Sequence, residues 1–118
     1  HAEQDEELIV FYIELMKKTN SKKLVYDLYF LLSRESDIIN QELIEIAEQF
    51  YCSKSKSLLK ELLNNGSTDI RLKALDIIFK NDKEYLVSII YNLINDEDKL
   101  IRVYSNKLLK DIKRNFKK

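Results

Sequence analysis

The sequence of 118 residues contains no proline, no tryptophan, a single glycine and a single cysteine. Immunoglobulin-like sandwiches and barrels need many tight turns, and nucleotide-binding α/β folds need a glycine-rich loop, so Gly66 alone argues against both. Cys52 has no second cysteine with which to form an internal disulfide, and it fits a reducing compartment. The scarcity of turn-forming residues therefore predicts an all-α protein.

Residues suited to catalysis or metal binding are equally scarce. The only histidine is His1, and Cys52 near Lys56 is interpreted as a structural thiol rather than a reactive one. No stretch approaches about 18 apolar residues without a charge, and the first residues lack the layout of a signal peptide. We therefore expect a cytoplasmic protein that is not an enzyme, binds no metal or cofactor and inserts into no membrane.

Hydrophobic residues make up 45% of the chain and recur three and four positions apart, as on one face of a helix. Short polar stretches separate these runs and can cap helix ends, and Asn81 with Glu84 resembles a capping box. Because the connections are short, successive helices are expected to lie antiparallel. The pattern predicts seven helices, at 5–18, 22–34, 37–51, 54–64, 68–80, 83–95 and 98–114.

A shift of 31 residues aligns these helices, apolar position on apolar position. Of 28 positions compared in eight such columns, only Ser55 and Ser105 are not apolar. A pair of short helices cannot cover both of its apolar stripes alone, so equal pairs are expected to stack in series and bury these stripes. Two of the columns are Leu8, Ile39, Ile70, Ile101 and Leu15, Ile46, Ile77, Leu108. We predict one domain, 1–118, with a capping or half-repeat helix at 5–18 and helix pairs at 22–51, 54–80 and 83–114.

Two stretches of the repeat resemble the HEAT family, namely 58–65 with 69–78, and 89–96 with 100–109. In this family a first helix ends in paired leucines, and after a polar turn the second helix has an apolar residue followed by arginine. A small residue follows three positions after the arginine. The matching residues are Ile70, Arg71 and Ala74, then Ile101, Arg102 and Ser105. The resemblance covers 54–114 by motif and 22–51 by period, and it implies an α-solenoid of about seven antiparallel helices stacked as HEAT-like pairs.

The resemblance also implies roles for two sets of side chains. Arginines at this position in HEAT-like stacks usually bond acidic or carbonyl groups of adjacent turns, although a column of arginines could also bind phosphate or an acidic peptide. The expected structural ladder consists of Arg71, Arg102, Asp69, Asp96 and Asp98. Second helices line the concave surface in this family, so their exposed positions are expected to contact a partner. These are Phe11, Glu14, Glu42, Glu45, Lys73, Asp76, Tyr104 and Lys107.

Although the net charge is zero, acidic and basic residues are unevenly distributed along the sequence. Residues 1–50 contain 5 basic and 11 acidic side chains, a net charge of −6, whereas residues 51–118 contain 15 and 9, a net charge of +6. The inner surface would therefore grade from acidic to basic. We expect a non-catalytic module that binds a partner protein, or a domain of its own parent chain, through the concave surface. The alternative is a HEAT-like domain that binds nucleic acid with its basic C-terminal half, against which the acidic first half weighs.

Overall fold

The computed structural model describes residues 37–49, 51–52 and 55–116, together with residues 7, 8, 10, 11, 14, 15 and 18. From residue 37 onward these ranges form five helices and no strand: α1 (Asp37–Gln49), α2 (Ser55–Asn65), α3 (Thr68–Asn81), α4 (Lys83–Leu93) and α5 (Lys99–Phe116). The seven earlier residues are helical as well. The all-α prediction is thus confirmed for this part of the chain, and the five predicted helices begin and end within two residues of the observed ones. The helix predicted at 22–34 lies outside the described residues.

The helices pack in series. Each of α1 to α4 packs against the next helix in the chain, and the odd-numbered helices also pack on one another, α1 on α3 and α3 on α5. Helix α3 therefore contacts all four of the others. Among the described helices, α1 and α5 make no extensive contact with each other, and so they lie on opposite sides of α3 within this set of five.

Aliphatic side chains from all five helices form one continuous core. Burying each such side chain stabilises the fold by roughly 1.5–3 kcal/mol. The 31-residue register is visible in this core, because Ile39, Ile70 and Ile101 are all at most 2% exposed. The side chains that are fully buried include Leu43, Ile46, Leu58, Leu59, Ile70, Leu75, Ile77, Ile78, Leu86, Ile90 and Ile101.

The register fails in its first row. Leu8 and Leu15 align with the buried Ile39 and Ile46, yet they are 52% and 46% exposed. No helix in the described ranges covers their face.

A single residue joins α3 to α4. Asp82 ends α3, and its carboxylate begins α4 by accepting a hydrogen bond from the backbone N–H of Tyr85 at 3.1 Å. The capping box predicted at Asn81 and Glu84 is therefore wrong by one position, since Asn81 is still the last residue of α3. Asp82 can cap the next helix because its backbone has left the helical conformation, with φ −150° and ψ 75°.

The turn between α2 and α3 consists of Gly66 and Ser67. The backbone N–H of Gly66 donates to the carbonyl oxygen of Leu62 at 2.8 Å, and the Ser67 hydroxyl caps α3. A Cβ atom at Gly66 would lie 2.5 Å from the Leu62 carbonyl oxygen and 2.6 Å from Cγ2 of Ile70. The close approach of the two helices thus leaves no space for a side chain at this position.

Replacing Gly66 by alanine should therefore destabilise the protein by about 1–3 kcal/mol, because the added methyl group overpacks a backbone contact. Urea denaturation followed by circular dichroism would measure the loss. The matched control is Asn64→Ala, at an exposed position in the last turn of α2, which should stay within about 0.5 kcal/mol of the wild type. Equal stability of Gly66→Ala and the wild type would contradict this account of the turn.

Candidate functional site

Arg71 connects α2, α3 and the turn between α4 and α5. Its Nη1 and Nη2 atoms donate to the two carboxylate oxygens of Asp96 at 2.9 and 2.6 Å, and its Nε donates to the carbonyl oxygen of Leu63 at 2.6 Å. The two side chains are only 16% and 19% exposed. A paired arginine and carboxylate in this bidentate geometry is among the stronger polar contacts in proteins. The guanidinium thereby fastens the end of α2, the start of α3 and the turn between α4 and α5.

Asp96 and Asp98 also accept hydrogen bonds from the segment that leads into α5. The carboxylate of Asp96 accepts a hydrogen bond from the backbone N–H of Asp98 at 2.9 Å. One carboxylate oxygen of Asp98 accepts from the backbone N–H of Leu100 at 2.9 Å, and the other accepts from the hydroxyl of Thr68. Asp98 therefore starts α5 and attaches it to the first residue of α3.

Arg102 lies one repeat after Arg71 but makes different contacts. Its Nη1 atom donates to the carbonyl oxygens of Asp96 and Glu97 at 2.7 and 2.9 Å. The structure thus brings both predicted arginines to the turn that contains Asp96, one at its carboxylate and the other at its carbonyl. Asp69 is exposed, and none of the hydrogen bonds and ion pairs described for this part of the chain includes it.

Acidic side chains outnumber basic ones at this turn, and each aspartate accepts hydrogen bonds. The hydrogen bonds from Arg71 hold the pKa of the Asp96 carboxyl below its usual value, and the Thr68 hydroxyl together with backbone N–H groups lowers the pKa of Asp98. A surface depression of about 500 Å³ lies here, lined by Asn64, Arg71, Asp96, Glu97 and Asp98. Three acidic side chains surround its one cation, so the depression is unsuited to phosphate.

The second set of predicted residues lies on α1, α3 and α5. Lys73 of α3 donates to the side-chain oxygen of Gln41 on α1 at 2.8 Å. The hydroxyl of Tyr104 on α5 donates to the carboxylate of Asp76 on α3 at 3.0 Å. The pKa of Tyr104 is raised to about 12, mainly because its hydroxyl is buried and secondly because it donates this hydrogen bond. Polar side chains therefore connect each of these three helices to the next.

The remaining residues of this set lie at or near the surface. Glu45, Lys73 and Lys107 are exposed, whereas Glu42 is partly buried. Phe11 and Glu14 are exposed and helical. Asp76 also contacts Lys80 at 3.0 Å. From α1 through α3 to α5, the charges at these positions pass from acidic through mixed to basic.

Several contacts between rows involve residues that sequence reasoning missed. They include Gln41, Thr68 and Lys56, the last of which lies 3.1 Å from the Asp82 carboxylate and 5.1 Å from the ring centre of Tyr85. A signal for two of them was present, since Gln41 and Lys73 are 32 residues apart and Thr68 and Asp98 are 30 apart. A search for complementary polar pairs about one repeat apart would have found both.

Other chemistry is not apparent in the described ranges. Cys52 is half-buried, and its backbone N–H donates to the Ser55 hydroxyl at 2.9 Å, which ties Cys52 to the first residue of α2. Among the residues described, no group of three or more His, Cys, Asp or Glu side chains is placed to hold a metal ion. None of the described helices has the length and apolar character needed to cross a membrane.

Comparison with known proteins identifies no relative. No protein-family model matches the chain, and neither a curated protein nor a solved structure matches it. The likeness to HEAT repeats therefore depends on the motif residues of the sequence alone.

A double-mutant cycle at Arg71 and Asp96 should give a coupling energy of about 1–2 kcal/mol, because a largely buried bidentate contact is broken. The variants are Arg71→Ala, Asp96→Ala and the double mutant, each measured by chemical denaturation. The control is the exposed ion pair between Lys80 and Asp76, whose coupling should be much smaller because solvent screens it. Equal coupling in the two cycles would contradict the proposed importance of the Arg71 contact.

Acid should destabilise the fold through the turn carboxylates. Asp82, Asp96 and Asp98 all have a pKa below the unfolded value of about 3.9. Each therefore contributes stability above that value, which is lost as the pH falls through the lower folded pKa. The free energy of unfolding should decrease from about pH 5 to pH 2, and Asp96→Asn should make this decrease less steep. Gly66→Ala serves as the control, since a packing defect should lower the whole curve without changing its slope.

Proposed function

We propose that this protein is a non-catalytic interaction module, a short HEAT-like α-solenoid that binds a partner protein or a domain of its own parent chain. The binding surface is the inner surface, defined as the exposed side of α1, α3 and α5. The observation that carries this proposal is the serial packing of those helices, α1 on α3 and α3 on α5. Serial packing is the arrangement in which each repeat contacts only its neighbours and leaves an extended surface available for binding.

The shape and the polar contacts support the solenoid. The radius of gyration is 15.1 Å, larger than the value of about 13.5 Å typical of a compact domain of this length. The extents of 49 × 28 × 17 Å are those of an elongated molecule. Three of the polar contacts between rows span 28 to 32 residues, close to the 31-residue repeat that stacking of equal pairs would produce.

The electrostatics of the inner surface support protein binding. Glu45 on α1 and Lys107 on α5 present opposite charges at its two ends, so a partner with the reverse order of charges would align in one direction. Asp76 and Tyr104 bond each other, and we assign them to holding α3 against α5 rather than to partner contact. Because the charged positions lie on packed helices, binding orders little backbone, which limits its entropic cost.

Reversing both end charges, Glu45→Lys with Lys107→Glu, should weaken binding of the partner at least about tenfold, or 1.4 kcal/mol. The melting temperature should change little, because both side chains are exposed. The probe is a protein that crosslinks to the wild-type chain, and isothermal titration calorimetry then measures its affinity for each variant.

The matched control reverses the exposed charges of Lys60 on α2 and Glu84 on α4, on the other side of the helix pairs. This control should leave the affinity unchanged. Unchanged affinity in the inner-surface variant would contradict the assignment of the surface. Tight binding of duplex DNA that weakens steeply with salt would instead favour the nucleic-acid alternative.

A further inference from the structure

Helix α5 carries an apolar residue and three cations along one side. We define the outer side of α5 as Val103, Lys107, Lys110 and Arg114, which are spaced four, three and four residues apart and so share one side of the helix. Val103 is 59% exposed, and the three cations are exposed as well. These side chains line a shallow surface depression of about 640 Å³, together with one amide and one acid, Asp111. The depression therefore combines an apolar side chain with an excess of positive charge.

The outer side of α5 is the side with which α1 and α3 hold their neighbours. Gln41 of α1 contacts α3, and Asp76 of α3 contacts α5. Shifted by whole repeats of 31 residues, these two positions become Val103 and Lys107. Leu72, one repeat before Val103, is half-buried and packs against the core. Helix α5 thus exposes positions that a neighbouring helix covers on α1 and α3.

Helix α4 extends the apolar part of this surface. Lys56 of α2 contacts the next row at Asp82 and Tyr85, and its position one repeat later is Val87. Val87 is 37% exposed, and Tyr91, one helical turn further, is 57% exposed. The positions that face a following row are therefore apolar and accessible on both α4 and α5.

The contacts between described rows show what covers a cation at such a position. Lys56 of α2 lies 3.1 Å from the carboxylate of Asp82, and Arg71 of α3 lies 2.6 Å from that of Asp96. In both pairs the later row supplies the acid. In the part of the chain that the structure describes, no side-chain hydrogen bond or ion pair involves the three cations of the outer side of α5. Carboxylates on an incoming helix would give these cations the partners that Lys56 and Arg71 have.

A further row with the chemistry of α3 or α5 does not fit the outer side of α5. These two helices each bring a donor to the preceding helix, the ammonium of Lys73 and the hydroxyl of Tyr104. At Lys107 such a donor would meet a cation instead of the carboxylate of Asp76. The loss of the acceptor and the repulsion of like charges would oppose this contact. A helix of the opposite charge fits instead.

We propose that the outer side of α5 binds an acidic amphipathic helix of another protein. Aliphatic side chains of that helix, three and four positions apart, would cover Val103, and its Glu or Asp side chains would contact Lys107, Lys110 and Arg114. The occupant is a helix because helices cover the same side of α1 and α3. Nucleic acid fits less well, since its phosphates offer no apolar group to Val103 and would be repelled by Asp111.

The proposal does not depend on what binds the inner surface. Lys107 belongs to both surfaces, so the test leaves it unchanged and uses the double variant Val103→Ser with Lys110→Glu. Because both side chains are exposed, this variant should melt near the wild-type temperature. Loss of binding in this variant would then report on the outer side of α5 alone.

The test is a selection that does not assume the sequence of the partner. A library of helix-forming peptides about 20 residues long, randomised at their surface positions, is depleted on the double variant and then selected on the wild-type chain. The selected peptides should combine Glu and Asp with aliphatic residues at helical spacing, and salt should weaken their binding. In fluorescence anisotropy titrations, the double variant should bind the best of them at least about tenfold more weakly than the wild type does.

The matched control is Ile38→Ser with Lys60→Glu, which removes an apolar side chain of similar exposure and makes the same change of charge. Its affinity should stay within about twofold of the wild type. A selection that yields no peptide dependent on Val103 and Lys110, or yields only basic or uncharged ones, would overturn the proposal. Tighter binding of duplex DNA or of phosphatidylserine vesicles, or self-association of the wild type, would equally overturn it if the double variant abolished that binding.

Discussion

The whole arrangement depends on one constraint: the apolar side chains of each helix must be buried against neighbouring helices. Helices of 11 residues such as α2 and α4 are too short to be stable alone, so they persist only through their packing. Helix α3 packs against helices that precede it and helices that follow it. Its buried residues are Ile70, Ala74, Leu75, Ile77 and Ile78. The same requirement, repeated along the chain, makes each described helix depend on its neighbours for its stability.

Apolar packing is not directional, so it does not by itself determine the order and register of the rows. Polar contacts at the edges of the core supply this information. Arg71 donates hydrogen bonds both to the carbonyl oxygen of Leu63 and to the carboxylate of Asp96. Tyr104, in the following row, donates a hydrogen bond to Asp76. A row displaced by one helical turn would leave these partly buried groups without partners, at a cost of about 1–3 kcal/mol each. The register that sequence comparison detects is thus maintained by a few hydrogen bonds.

Periodicity was sufficient to locate the described helices, because burial on one face leaves a strong pattern in the sequence. It did not identify the cap of α4, since Asn81 and Asp82 are both good capping residues and only the backbone conformation decides between them. Among the acids expected beside Arg71, three were equally plausible, and the fold of the turn selected Asp96. The exposure of Leu8 was missed for a different reason: a repeat shows which side of a helix is apolar, but not what covers it.

The surfaces left by such a series are of two kinds, and their geometry limits what each can do. The inner surface runs across α1, α3 and α5, so its charges change from acidic at Glu45 to basic at Lys107. The outer side of α5 belongs to a single helix. It carries at Val103 and Lys107 the repeat positions through which α1 and α3 contact the next helix, so the chemistry exposed there is apolar beside basic.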